Sequence, residues 1–302
     1  MRTAAVDLGT NTTRMLVADI ASGSVDTIER REQITGLGEG VDARRRLLPL
    51  PIARVRNALT EYRRRIEELG AERVLCVATS AVRDAENGEA FLGEVEWSYG
   101  FTTRLLTGEE EARLTYGGAT LGRAQEDGLM VVDIGGGSTE LVFADREVSV
   151  DVGSVRMTEQ FGENVYGVAM AVHRRLPREL RPTRALGVAG TILSLAALDL
   201  GLDHYDRNQV HGHRLSRASV EGQVDALKAL SLEERRHLPA LDPKRAPVIV
   251  AGAVILREIM RRYDLDEIEA SERDLLDGAV LEAAQLPEPV EGDAPPGAYV
   301  CC

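Results

Sequence analysis

The sequence predicts an α/β protein of two related domains, each a mixed β-sheet with flanking helices, with a cleft between them. Three observations lead there. First, Ala5-Val6-Asp7-Leu8-Gly9-Thr10-Asn11 and Val131-Val132-Asp133-Ile134-Gly135-Gly136-Gly137-Ser138-Thr139 repeat one pattern: an apolar strand, Asp, an apolar residue, Gly and a hydroxyl-bearing turn. An apolar run resumes after each, at Met15-Leu16-Val17-Ala18 and Leu141-Val142-Phe143. Second, each copy opens a series in which further strands alternate with helical patterns. Third, 302 residues at 44% hydrophobic content suffice for two ordinary cores.

The elements follow in order. The first hairpin covers residues 3–20, with a third strand over 25–31. Ile52, Val55, Leu59, Tyr62, Ile66 and Leu69 recur at helical spacing, so 49–69 reads as a helix that stops at Gly70. A buried-type strand (73–79), a turn into a short helix (80–85), a helix (90–97), a strand (102–106) and a helix (108–120) complete the first half. The second half has strands at 129–133, 139–144 and 147–152, helices at 155–161 and 164–175, and a strand at 184–188. A helix over 192–200 precedes an irregular polar stretch, 202–214. Helices at 216–230, 232–237 and 246–263, a strand at 267–270 and a helix at 272–284 end the ordered chain. The predicted domains are therefore 1–120, joined by a returning helix at 273–285, and 121–272. The Pro/Gly/Glu-rich stretch 286–302 is predicted to be disordered.

Composition narrows the function. The formal net charge is −13, whereas nucleic-acid binders are usually basic, so no nucleic-acid partner is expected. No apolar run approaches the roughly 20 residues of a membrane span, and no secretory leader is read. The three cysteines, Cys76 in an apolar run and the terminal pair Cys301-Cys302, form no zinc or disulfide pattern, which fits a reducing cytoplasm. Cys76 reads as a small core residue. Two histidines, His211 and His213, lack a third ligand and read as loop residues. Arg44-Arg45-Arg46 reads as a solvated face, with guidance of a polyanion as the alternative.

The repeated hairpin tips carry chemistry. Glycine removes the Cβ that would keep a phosphate away, and successive backbone N–H groups form an anion cradle. Gly9, Thr10, Asn11 and Thr12 make the first tip; Gly135, Gly136, Gly137, Ser138 and Thr139 make the second. Asp7 and Asp133, on otherwise apolar strands, are costly to bury unpaired. Oxygen ligands of that kind suit a hard divalent cation. Two facing tips would grip one phosphate chain from both sides.

The helix at 108–120 adds a candidate base. Thr107 and Glu110 have capping-box spacing, and Glu109 stands four residues before Arg113, the spacing of an ion pair. Glu111 has neither explanation. Leu114, Thr115, Gly118 and Ala119 share its face, so its carboxylate points to the interior or a cleft, where desolvation raises its pKa. That suits a base acting on water.

Six motifs carry a resemblance. They are Ala-Val-Asp-Leu-Gly-Thr-Asn at 5–11, Ala-Thr-Ser-Ala-Val-Arg at 78–83, Thr-Gly-Glu-Glu-Glu-Ala-Arg at 107–113, Val-Asp-Ile-Gly-Gly-Gly-Ser-Thr-Glu at 132–140, Gly-Val-Ala-Gly-Thr at 187–191 and Ser-Glu-Arg-Asp-Leu-Leu-Asp-Gly at 271–278. Over residues 3–284 the chain resembles the exopolyphosphatase / guanosine pentaphosphate phosphohydrolase family, a branch of the actin-like ATPase superfamily. The resemblance implies two ribonuclease H-like (actin-like) domains and hydrolysis of terminal phosphoanhydride bonds. The implied substrates are inorganic polyphosphate or guanosine pentaphosphate, the implied metal is Mg²⁺ or Mn²⁺, and a homodimer is implied as well. It makes Glu111 the catalytic glutamate, Arg83 a phosphate-binding arginine, and Asp133, Glu140 and Asp7 the metal carboxylates. Arg14 would also reach phosphate. Gly190 and Thr191 lie where actin-like enzymes hold adenosine; close helix–strand packing explains that glycine turn equally well. Long members of the family add a C-terminal helical region that residues after 285 do not supply, which favours short polyphosphates or a nucleotide. The alternatives are an actin-like small-molecule kinase or ATPase, and a low-turnover alarmone-binding protein.

Overall fold

The computed structural model describes residues 1–287. The predicted tail beyond 287, with Cys301-Cys302, lies outside them. The chain divides into two compact units: Met1–Gly122 together with the chain from Leu275, and Arg123–Asp274. Among the described residues no helix is long and apolar enough to cross a membrane.

Unit 1 begins with β1 (Arg2–Leu8), β2 (Thr12–Ala21) and β3 (Ser24–Ile34), an antiparallel meander. It continues through α1 (Val41–Arg44), α2 (Pro49–Leu69), β4 (Arg73–Ala78), α3 (Ser80–Arg83), α4 (Gly88–Tyr99), β5 (Thr102–Leu105) and α5 (Gly108–Ala119). Unit 2 opens on β6 (Leu129–Ile134), β7 (Thr139–Val142) and β8 (Glu147–Val150), the same meander again. Then come α6 (Ser154–Phe161), α7 (Val165–Arg175), β9 (Arg184–Val188), α8 (Ala189–Asp199), α9 (Arg207–Val210), β10 (Arg214–Ser216), α10 (Arg217–Ala229), α11 (Leu232–Arg236), α12 (Ile249–Arg262) and β11 (Glu267–Ala270). Helix α13 (Leu275–Ala283) belongs to unit 1.

The sheets are ordered β3-β2-β1-β4-β5 and β10-β11-β9-β6-β7-β8. In each, the meander is extended by parallel strands, β4 and β5 in one, β9 and β11 in the other. This is the ribonuclease H-like arrangement, built twice. The central strands β1 and β6 read as continuous apolar runs because both of their faces are buried.

Alternation along β1 sorts the core into two layers. Ala4, Val6 and Leu8 pack with Val55, Leu59, Tyr62 and Ile66 of α2. Ala5, with Leu16, Leu75 and Val77, packs with Leu114 of α5 and with Leu276, Ala279 and Val280 of α13. Asp7 is two residues on from Ala5, so it shares the α5/α13 face. In unit 2, Met130, Val132 and Ile134 face the main core, so Asp133 lies on the opposite face.

Two stretches differ from the sequence reading. Helix α8 starts at Ala189, three residues before the expected 192, because Ala189 takes a left-handed φ of 65° and turns the chain at once from β9 into helix. The stretch 202–214, expected to be irregular, holds α9 and leads into β10. That strand exists through its partner β11, where Gly212 N–H donates to Ala270 C=O and Ala270 N–H to His213 C=O, each at 2.8 Å. Such pairing is set far away in sequence and leaves no local signal.

Candidate active site

The two hairpin tips share one hydrogen-bond plan. Gly9 N–H donates to Thr12 C=O at 3.1 Å, and Gly135 N–H donates to Ser138 C=O at 3.0 Å. The tip carbonyls are then tied down. Thr10 C=O accepts from Gly38 N–H, and Asn11 C=O accepts from Thr35 and Gly36 N–H. In the second tip Gly135 C=O accepts from Ser154 N–H, and Gly136 C=O from Val155 and Arg156 N–H, all at the start of α6. Among the described residues the N–H groups of Thr10, Asn11, Gly136 and Gly137 donate no backbone hydrogen bond. Carbonyls tied and amides left over is the condition for an anion cradle. Close approach limits side chains here: a Cβ on Gly9 would stand 2.8 Å from Thr12 O, and one on Gly153, before α6, only 2.3 Å from Gly136 O of the second tip.

In unit 1 the chemistry collects at the carboxyl ends of the parallel strands β1, β4 and β5, the usual place for a ligand in such a sheet. Leu8 is registered with Ala78 and Ala78 with Leu105, so the first tip, α3 and the start of α5 follow neighbouring strand ends. Arg83 closes α3, and Glu111 stands in the first turn of α5. Arg83 Nη1 donates to Leu106 C=O at 2.7 Å and to Glu111 Oε2 at 3.3 Å. Its carboxylate partner is thus Glu111 on α5 rather than its chain neighbours Asp84 and Glu86. Among the described residues Nε and Nη2 of Arg83 have no partner, so most of the guanidinium fork remains for a phosphate. Glu111 is only 8% exposed, on the face with Leu114, Thr115, Gly118 and Ala119 that the sequence assigned to it.

Glu110 is committed elsewhere. Its carboxylate accepts from Thr107 N–H at 2.8 Å while Thr107 Oγ1 accepts from Glu110 N–H at 3.1 Å, the complete capping box. The Thr107 N–H holds the Glu110 carboxyl below the usual range. A carboxylate stabilised in its charged form is a poor proton acceptor. Among the described residues no ion pair joins Glu109 to Arg113, contrary to the helix-spacing expectation; Arg113 adds instead to the field on Glu110.

Asp7 and Arg14 stand opposite each other on β1 and β2. Arg14 donates from Nε at 2.9 Å and from Nη2 at 2.6 Å to Asp7 Oδ2. Two donors of Arg14 are thus committed to Asp7 rather than to a ligand, and Asp7 is an ion-pair partner inside the sheet. In unit 2 the equivalent positions are Asp133 and Glu140, again opposite each other. Here both are acidic and both are buried, at 6% and 1% exposure. Glu140 Oε1 accepts from Ser149 Oγ at 2.9 Å across the next strand. Glu140 is therefore an inward carboxylate and not an exposed strand residue. Asp133 and Glu140 are thus acidic residues at facing register positions, each with polar partners around it.

A protein-family model described as the Ppx/GppA phosphatase family matches residues 16–286. The chain is 36% identical over 315 aligned residues to Exopolyphosphatase 2 of Mycobacterium tuberculosis, an alignment covering 94% of this chain and 98% of that one.

The chain belongs to the Ppx/GppA phosphatase family.

Two solved structures agree. A crystal structure titled as an exopolyphosphatase-like protein superposes with a TM-score of 0.87 at 31% identity, covering 94% of this chain and 99% of the other. The Aquifex aeolicus member of the Ppx/GppA family gives 0.79 at 32% identity, covering 94% and 98%. Membership makes the chain an enzyme that hydrolyses phosphoanhydride bonds.

Other positions of this Ppx/GppA phosphatase have structural explanations. Gly190 lies against a guanidinium: a Cβ there would meet Arg245 Nη1 at 2.0 Å. Thr191 is buried beside Gly252 of α12, whose Cβ would stand 2.6 Å from Thr191 Cγ2. A Cβ on Gly187 would meet Ile192 and Ile268 within 3 Å. Close packing therefore accounts for this glycine turn. His213 Nε2 lies 2.7 Å from Asp199 Oδ2 and His211 Nδ1 accepts from Glu272 N–H at 3.2 Å, so the two histidines are held apart in separate bonds. Cys76 is fully buried and unpaired, and burial pushes its thiol pKa up.

The structure gives a packing reason for Gly278, which the sequence reading held only as the last residue of the 271–278 motif. Gly278 of α13 crosses α5 so closely that a Cβ would stand 2.2 Å from Leu114 C=O, one turn beyond Glu111. Arg30 bonds to Asp277 beside it, and Thr3 Oγ1 to Val280 C=O at 3.1 Å fixes α13 on the sheet. A glycine in an otherwise apolar helix face was the available signal.

Proposed function

We propose that this chain is an exopolyphosphatase that removes the terminal phosphate of inorganic polyphosphate, with guanosine pentaphosphate as a further substrate of the same chemistry. The observation that carries the reading is the Arg83–Glu111 pair beside the first amide-lined tip. Glu111 takes a proton from water, and the water oxygen attacks the terminal phosphorus. The bond from that phosphorus to the bridging oxygen breaks, leaving orthophosphate and a chain shorter by one unit. Arg83, with two donor positions unengaged among the described residues, stabilises charge on the phosphate oxygens.

The amides of the tips, at 9–12 and 135–139, would bind phosphate oxygens. Asp133 and Glu140 fit a hard divalent cation such as Mg²⁺ or Mn²⁺: two buried oxygen donors face each other across adjacent strands. Among the described residues no group of three His, Cys, Asp or Glu side chains could hold a metal. Mg²⁺ commonly takes one or two carboxylates and completes its shell with water and substrate phosphates. When bound, the cation would neutralise charge on the phosphate oxygens. Asp7 would act mainly by fixing Arg14 beside the first tip, and only in second place as a further metal carboxylate.

The test is release of orthophosphate from short polyphosphate, long polyphosphate and guanosine pentaphosphate, with and without Mg²⁺ and with no acceptor present. Release from polyphosphate that depends on Mg²⁺ is expected. Release only when a phosphate acceptor is added would replace this reading with a kinase.

A further inference from the structure

Arg44, Arg45 and Arg46 have no part in the chemistry above. The chain carries 36 Lys and Arg against 49 Asp and Glu, so acidic partners are abundant. Many arginines elsewhere find them, such as Arg2 on Asp19, Arg56 on Glu94, Arg123 on Glu269 and Arg207 on Glu272. Arg44, Arg45 and Arg46 are all exposed, and among the described residues none of the three has an acidic partner. Arg174, Arg175, Arg178 and Arg181 are also exposed without an acidic partner among the described residues, so the run is set apart by being three consecutive bases fastened near Arg83.

The run is also held in place. Arg45 sits at a left-handed φ of 53°, a conformation that glycine or asparagine would adopt more easily. Its N–H donates to Val41 C=O, and its C=O accepts from Glu86 N–H, both at 2.8 Å. The Asn87 side chain brackets the next buried residue, accepting from Leu47 N–H at 2.8 Å and donating to Leu47 C=O at 3.1 Å. These bonds fasten the run to the segment just after Arg83. Glu86 is three residues beyond Arg83, so the backbones of Arg45 and Arg83 lie within about 15 Å. Glu39 and Asp42 along the chain, and Asp84 and Glu86 on the segment bonded to Arg45, balance much of the charge at a distance. The strip therefore acts through direct contact rather than through a long-range field.

We propose that Arg44–Arg46 is a docking strip for the distal phosphates of a linear polyphosphate whose terminal phosphate is at Arg83 and Glu111, and that it sets a preference for longer chains, in place of the short-chain preference that the resemblance implies. This rests on the exopolyphosphatase reading. Guanidinium forks match phosphate oxygens. The stretch from 38 to 50 contains no aromatic residue on which a nucleobase would stack, which favours a bare phosphate chain over a nucleotide.

The test combines Arg44→Gln, Arg45→Gln and Arg46→Gln, with the corresponding triple Arg→Lys variant as the charge-preserving control. With long polyphosphate, KM is expected to rise about tenfold in the Gln variant with kcat unchanged, as three exposed charge contacts would give. The Lys variant should recover most of that loss. KM for tripolyphosphate and guanosine pentaphosphate should stay within about twofold of wild type, because neither extends along the strip. An unchanged KM for long chains, or an equal rise for all three substrates, overturns the proposal. If the triple variant does not fold, the ratio of KM for long polyphosphate to KM for tripolyphosphate is compared between Arg46→Gln and wild type, with a rise of about twofold expected and an unchanged ratio overturning the proposal. If wild type releases no phosphate from any polyphosphate, the functional reading fails. The strip is then judged by equilibrium binding of long polyphosphate, where equal affinity of wild type and Gln variant would refute it.

Discussion

The two units use one hairpin and charge it in opposite ways. Both turn on a glycine N–H bonded three residues ahead, and both place an Asp two residues before that glycine. The row across the unit 1 sheet then reads Asp7, Arg14, Glu32; across the unit 2 sheet it reads Asp133, Glu140, Ser149. In unit 1 the buried carboxylate is neutralised by its neighbour, and the candidate base is supplied from α5. In unit 2 the buried carboxylate stands opposite a second one, the pair proposed above to hold a cation. The two units thus share the turn, and their rows differ at the two positions beyond the Asp, Arg14 against Glu140 and Glu32 against Ser149.

The largest expected effect lies in unit 1. Glu111→Gln should lower kcat by about 10²–10⁴-fold with little change in stability. Glu110→Gln should leave kcat near wild type and lower stability by about 0.5–1 kcal/mol through the lost cap. Steady-state kinetics and chemical denaturation read both, and equal kcat losses would return the base to Glu110.

The next contrast sets the two Asp partners against each other. Arg14→Met leaves Asp7 buried beside an apolar group and should destabilise by about 3–5 kcal/mol in a urea melt. Glu140→Gln keeps the oxygen that accepts from Ser149 and removes one of two facing charges. Its Tm should hold or rise while activity falls. A large loss of Tm in Glu140→Gln would mean that the unit 2 row is already neutralised by protein groups.

Gly278→Ala probes the support of α5. Alanine usually stabilises a helix interior by about 0.5–1 kcal/mol over glycine. Here the close approach to Leu114 C=O should reverse the sign, to a loss of about 1–3 kcal/mol, with a fall in kcat as α5 shifts. A more stable and fully active variant would show that the crossing does not position Glu111.

The smallest effect is in acid. In unit 2 the Arg123 guanidinium beside Glu269 holds its carboxyl below the ordinary 4.5. A depressed carboxyl stabilises the fold above its unfolded pKa, and that contribution is lost as pH falls through the lower folded value. Glu269→Gln should thus narrow the stability gap between neutral pH and pH values below 4.5, and an unchanged acid limb would remove this pair as a contributor.

Much of this was legible in the chain. The Asp-Gly repeat gave both meanders, and helical spacing gave 49–69 to the residue. Helical geometry alone separated Glu111 from Glu110, which the capping box then explained. The Arg14–Asp7 pair was within reach too: once the turn bond at Gly9 is drawn, Asp7 must stand opposite Arg14. What escaped depends on distant partners. Strand β10 needs β11, the Arg83 fork needs Leu106 C=O, and the reason for Gly278 is a carbonyl more than 150 residues earlier in the chain. The start of α8 escaped because a left-handed alanine is not written in its residue type.

The division of labour between the units is tested most directly by titrating Mg²⁺ against polyphosphate hydrolysis for wild type, Glu111→Gln and Glu140→Gln. The account predicts that Glu111→Gln stays impaired at every Mg²⁺ concentration, with an unchanged half-saturation point. Glu140→Gln should need about tenfold more Mg²⁺ for half-activity and recover toward wild type as Mg²⁺ is raised. If the two variants exchanged behaviours, or if Glu140→Gln kept the wild-type Mg²⁺ requirement, the assignment of base to unit 1 and cation to unit 2 would be contradicted.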